Sequence, residues 1–190
     1  MTLAVSTSSP LVSVALIEGG EILGFYEQEA QGAASAAVAE LASRLLKTAG
    51  KTMQDVTEFV VDVGPGGFTG VKVGVTFLKA LAWAKHASIS TVSAFDLIDS
   101  QSDVAIPSKR NEWYLRKANG PAQLVAGEAP NGAIGYGPGF ESPRYPSVKN
   151  LTKPDVKTQA VDVLSVVPCY IAEPSVSAPK NPHVLKGVIT

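Results

Sequence analysis

The stretch Phe59–Gly74, "FVVDVGPGGFTGVKVG", constrains the fold more than any other part of the chain. An apolar run, "FVVDV", leads into a turn holding Gly64, Gly66, Gly67 and Gly70, and a long apolar helical pattern leaves it. "TEFVVDV" (57–63) is nearly continuous in apolar residues, as expected of a strand covered on both faces. The helix is expected from about Thr69 to His86, with Thr69 as its N-cap. A strand, a glycine turn and a helix in that order can cradle a phosphate on backbone N–H groups at the positive end of the helix. The spacing fits neither common fingerprint, however. A Walker loop requires Lys followed by Ser or Thr, and none stands here. A dinucleotide G-x-G-x-x-G requires glycine at the position of Thr69. The other reading is packing, because glycines let strand, helix and neighbouring backbone come close.

The elements before the turn set its context. "LAVST" (3–7), "LVSVALI" (11–17) and "ILGFYEQE" (22–29) read as three meandering strands, the last two joined by the turn "EGGE". "AASAAVAELASRLLKTAG" (33–50) reads as a helix that Gly50 closes. After the second helix come a strand near 88–92 and a short helix near 94–100. The order β-β-β-α-β-α with a mixed sheet is the layout of one lobe of the ribonuclease-H-like, actin-like (ASKHA) α/β fold. Two lobes are therefore expected, 1–100 and a smaller, looser 101–190. Eleven of the thirteen prolines fall in the latter. Its strands are expected near 104–108, 113–118, 121–126 and 160–166, with a long irregular connection at 129–150.

Composition narrows the function. Hydrophobic residues make up 45% and charged residues 17%, which suits a packed core. A net charge of −1 provides no global field toward nucleic acid or membrane surfaces. The one cysteine, Cys169, excludes an internal disulfide framework. The N-terminal segment lacks a basic stretch, and Ser, Thr and Pro break its apolar run, so neither a signal peptide nor a membrane span is expected. A soluble cytoplasmic protein follows.

The two long helices carry more apolar surface than one sheet can cover. At about 100° per residue, Val73, Phe77, Leu78, Leu81 and Ala84 share one face of the second helix, read as core. Lys72, Thr76, Lys79, Trp83 and His86 lie opposite, flanked by Val75 and Ala82. Trp83 among lysines suits an interface anchor, or is an isolated exposed residue. On the first helix the apolar arc extends to Ala39, Ala42 and Leu46. These either dock on another protein or are covered by the second helix or second lobe.

Catalytic groups are sparse. His86 reads as part of a helix end and His183 as a tail residue. Cys169 reads as core within an alternating strand, and "STSS" (6–9) as turn-satisfying hydroxyls. "SKRNEWYLRK" (108–117) interleaves basic residues with Trp113 and Tyr114, either for RNA stacking or as an ordinary hairpin.

Several blocks together resemble the TsaB family, also called YeaZ: "LAVSTSSPLVSVALIEGGEI", "VGPGGFTGVKVGVTFLKALAWA", "KRNEWYL", "YPSVKN" and "VPCYIAEPSV". The resemblance implies a non-catalytic, cytoplasmic scaffold with two actin-like lobes. It would help install threonylcarbamoyl on adenosine 37 of tRNA by binding a TsaD-like catalytic subunit, with a TsaE-like ATPase joining them. Carried over by position, the docking residues are Ala39, Ala42 and Leu46 on the first helix and Lys72, Val75, Lys79, Ala82 and Trp83 on the second. The same helices could form a homodimer. No cofactor is implied, save ATP or ADP at a shared interface, and tRNA is reached through the complex. Ser6 stands where family members commonly carry Asp, and "GAASAAVAE" replaces a His-Ser helix start. The competing class is an enzyme: an actin-like ATPase, small-molecule kinase or glycopeptidase.

Overall fold

The computed structural model describes residues 1–30, 32–118 and 120–171. A six-stranded sheet forms from β1 (Thr2–Ser6), β2 (Leu11–Glu18), β3 (Glu21–Glu29), β4 (Glu58–Asp62), β5 (Ser88–Val92) and β10 (Gln159–Val161). Its order is β10-β5-β4-β1-β2-β3. β1 pairs antiparallel with β2 and parallel with β4, so the sheet is mixed. Three helices accompany it: α1 (Ala34–Thr48), α2 (Phe68–Lys85) and α3 (Ala94–Ile98).

The pleat explains why the central strands read as unbroken apolar runs. Leu3, Val5, Phe59 and Val61 join the core under α1 and α2, while Ala4 and Val60 join a second core with Leu97 of α3 and Val148. Both faces are covered, and a smaller core holds the α3 side. Side chains such as Leu45 and Leu78 are essentially inaccessible. Each contributes roughly 1.5–3 kcal/mol through the water it leaves.

The helix ends follow local chemistry. In α1, Lys51 N–H bonds Leu46 O and Gly50 N–H bonds Lys47 O, with Gly50 at φ 64°. This is the paired closure that favours a left-handed residue. α2 closes the same way, but its left-handed residue is His86 at φ 51°, whose N–H bonds Trp83 O. Thr69 does not cap α2. Gly67 precedes the helix with its N–H on Ser8 O (2.7 Å), so the helix starts before Thr69, which lies in its first turn.

The second sheet, β8-β7-β6-β9, is built from β6 (Val104–Pro107), β7 (Glu112–Arg116), β8 (Ala122–Ala126) and β9 (Ile134–Gly135). The 108–117 segment is a hairpin. Trp113 is buried and donates to Gly127 O (3.1 Å), so its ring is not available for stacking on bases. The strand expected near 160–166 is shorter and sits elsewhere: β10 pairs antiparallel with β5 at the edge of the first sheet. The 129–150 connection carries little regular structure, as read. It is pinned by Tyr136 against Tyr145 (ring centroids 4.8 Å apart), Ser147 N–H on Leu97 O and Val148 N–H on Ser13 Oγ. No helix among the described residues is long and apolar enough to cross a membrane.

Two substitutions test these assignments. Leu78→Ala is expected to destabilise the chain by about 2–5 kcal/mol in urea unfolding, as a cavity in a full core does. His86→Gly is expected to stabilise it by about 1 kcal/mol, because a side chain in the left-handed region carries a cost that glycine avoids.

Candidate functional site

The glycine turn is an interlock between α2 and the residues after β1. A Cβ added at Gly66 would collide with the Ser8 carbonyl, one at Gly70 with the Thr7 carbonyl, and one at Gly74 with Thr7 Oγ1. Thr7 Oγ1 donates to Gly70 O (2.7 Å) and accepts from Gly74 N–H (3.1 Å). Gly64 takes φ 94°, and its carbonyl accepts from Ala94 N–H at the start of α3 (2.8 Å). The glycines are thus used for close backbone approach.

Beneath the turn lies Asp62, which sequence reading passed over. It is fully buried at the end of β4. It accepts from Ser6 Oγ (2.7 Å), Ser8 Oγ (2.5 Å) and Gly64 N–H (2.8 Å). Burial raises its pKa to about 6, against the lowering effect of those three donors. Ser6 therefore faces inward to Asp62 and not toward solvent. The clue was a lone carboxylate inside an apolar strand, which must find donors when buried. Tyr136 is pushed up by burial first and by the Asp62 charge second. Cys169 is exposed and outside any strand, in contrast to the core position expected. Its N–H bonds Val63 O, and desolvation and then Asp62 raise its thiol pKa.

A cleft of about 390 Å³ opens beside the glycine turn. Its walls include Thr7, Ser8, Ser9, Gly67, Thr69 and Gly70 on one side, and Pro107, Ser108 and Tyr136 on the other. Its lining among the described residues is hydroxyl and apolar, with no charged side chain. No group of three His, Cys, Asp or Glu side chains able to hold a metal ion occurs among the described residues.

The helix pair differs from expectation in rotation. The buried face of α2 is Val71, Gly74, Val75, Leu78 and Ala82. Val73, Phe77 and Leu81, read as core, are half-buried, and Ala84 is exposed. The cause is the interlock: Gly70 and Gly74 press against Thr7 and turn their own face inward. Four of the residues read as docking positions are consequently covered within the chain. Ala42, Leu46, Val75 and Ala82 join one core cluster where α1 meets α2. Lys79 is half-buried, its Nζ donating to Leu164 O (2.7 Å) and Val166 O (3.0 Å). Ala39, Lys72 and Trp83 are open, with Trp83 63% exposed. Phe68, absent from the sequence reading, is also open. It packs near Tyr170, and Lys72 Nζ sits 3.9 Å from its ring centroid. A groove of about 540 Å³ runs between the helices, walled by Ser35 and Val38 of α1 and by Phe68, Lys72, Val73 and Phe77 of α2. His86 ends α2 as described, and His183 lies outside the described residues.

Asp62 gives a pH test. A value raised from 3.8 to about 6 means the folded chain holds this proton more tightly than the unfolded chain. The associated stability is complete below about pH 4 and is lost as pH rises through about 6, on the order of 3 kcal/mol. Asp62→Asn is expected to remove that loss, so its gain over the unsubstituted chain in urea unfolding is larger at about pH 7.5 than at about pH 4.

The tRNA N6-adenosine threonylcarbamoyltransferase (TsaD) family profile matches residues 21–103. The tRNA threonylcarbamoyladenosine biosynthesis protein TsaB of Bacillus subtilis is 32% identical over 96 residues, 50% of this chain and 42% of that protein. The protein of the same name from Haemophilus influenzae is 31% identical over 122 residues, 60% of this chain and 51% of that one. The chain thus spans about half the length of the curated relatives it matches. Among solved structures, a Pseudomonas aeruginosa protein with similarity to peptidase YEAZ superposes with a TM-score of 0.74 at 17% identity, covering 90% of this chain and 99% of that one. YeaZ from Pseudomonas aeruginosa superposes with a TM-score of 0.67 at 18% identity, covering 89% and 98%. The fold is the actin-like α/β fold read from the element order.

Proposed function

We propose that the chain is a member of the TsaB (YeaZ) family, to two of whose proteins it is 31–32% identical over about half their length, and that it serves, without catalysis, in making threonylcarbamoyladenosine on tRNA by binding and activating a TsaD-like transferase. The observation that carries this reading is the open strip of α2. Phe68 and Trp83 are exposed, Val73 and Phe77 are half-open along the groove, and Lys72 lies beside them. Large aromatic side chains next to a cation are the usual anchors of a protein interface. Ala39 borders the strip from α1. Ala42, Leu46, Val75 and Ala82 support it from below by fixing how the helices meet. In this reading 1–100, with β10 added at the edge of its sheet, is the docking lobe and the rest of 101–190 the smaller one, a TsaE-like ATPase joins the assembly, and tRNA is reached through the complex in the cytoplasm. The cleft lining among the described residues, which is uncharged, favours a non-catalytic role, with any ATP or ADP completed by groups from a partner.

The test is gel filtration of the chain mixed with its cognate TsaD-like subunit. A stable complex is expected, and Trp83→Glu is expected to weaken it by about tenfold or more while leaving the melting temperature nearly unchanged, since the charge must be desolvated on docking. Failure of the unsubstituted chain to bind, or ATP turnover by the isolated chain, would contradict the proposal. Loss of self-association by Trp83→Glu with binding to the TsaD-like subunit intact would assign the face to a homodimer instead.

A further inference from the structure

A second site lies on the other face of the first sheet from α1 and α2. There the connection after β9 crosses the starts of β2 and the end of α3, leaving a pocket of about 360 Å³. Arg144, Lys149 and Lys153 line it, with Asn150, Ser147 and one carboxylate, Glu27. The three cations are exposed, and none takes part in the two ion pairs found among the described residues, Arg116–Asp96 and Lys117–Asp103. Lys149 Nζ lies 5.9 Å from the Phe25 ring centroid, and Lys153 acts on Asp99 and Asp155 only at the level of a nearby charge. Asn150 is committed, its Nδ2 donating to Leu97 O (2.7 Å).

The decisive group is Ser147. Only 4% of it is exposed, yet its Oγ has no hydrogen-bond partner. A buried hydroxyl without a partner is costly. Its backbone N–H bonds Leu97 O, and the residue belongs to the lining that Arg144, Lys149 and Lys153 share. A tetrahedral anion fits this arrangement. It would accept from Ser147 and from the Arg144 fork, and Lys149 and Lys153 would neutralise it.

We propose that this pocket binds a phosphate group. Two sources share that chemistry, a backbone phosphate of RNA and a free phosphate or small phosphate ester. The site stands apart from the docking strip, so it is tested without any partner protein.

The experiment titrates the full chain with inorganic phosphate, and separately with unmodified tRNA at low salt, following the amide NMR signals of residues 143–153. Phosphate is expected to move these signals, and Arg144→Gln, Lys153→Gln and Ser147→Ala are each expected to weaken the effect about tenfold while leaving distant signals in place. If tRNA moves the same signals and phosphate competes with it, the source is the RNA backbone. If phosphate alone moves them, it is a small ligand. Unmoved signals with both probes, or movements that all three variants retain, would overturn the proposal. Arg144→Gln and Ser147→Ala alter side chains at the pocket wall, so unchanged spectra elsewhere separate loss of binding from loss of fold.

Discussion

The structure depends on the contact between the small residues of α2 and the backbone after β1. Gly66, Gly70 and Gly74 meet the carbonyls of Ser8 and Thr7 and the Thr7 hydroxyl at distances that admit no Cβ. This contact lays the helix flat on the sheet. It also fixes the helix about its own axis, because the glycine side must face inward. The rotation decides which apolar residues seal against α1 and which stay open. Val75 and Ala82 go inward, and Val73, Phe77 and Trp83 go outward or to the rim. A motif that resembles a phosphate cradle thus decides which side chains of α2 stay exposed.

The same segment organises the electrostatics of the cleft. Residues 6–8 tie β1 to β4 by giving two hydroxyls to the buried Asp62. With that carboxylate buried, the cleft lining among the described residues carries no charged side chain. The surface charge that matters gathers instead on the 144–153 stretch, on the far side of the sheet. One face exposes aromatic side chains and the other exposes cations.

The elements were legible in the sequence because their signals are local. Alternation gave the strands, 3.6-residue periodicity gave α1 and α2, and Gly50 marked a helix end where a left-handed residue was needed. The rotation of α2 was not legible. Counting large apolar side chains favours Val73, Phe77 and Leu81 as core, whereas the inward face is chosen by a contact with Thr7 more than sixty residues away in sequence. The same non-locality hid Asp62, whose donors come from β1, and the placement of β10, whose partner is β5. Phe68 was missed because the helix was expected to start at Thr69, one residue later than it does.

Hydroxyl-radical footprinting, which reports side-chain access to solvent, tests the central claim most directly. With the chain alone, Phe68 and Trp83 are expected to react strongly and Leu46, Val75 and Leu78 hardly at all. On adding the cognate TsaD-like subunit, Phe68, Phe77 and Trp83 are expected to become protected. Reactive Val75 and Leu78 in the free chain, or an unprotected Trp83 in the mixture, would contradict the account.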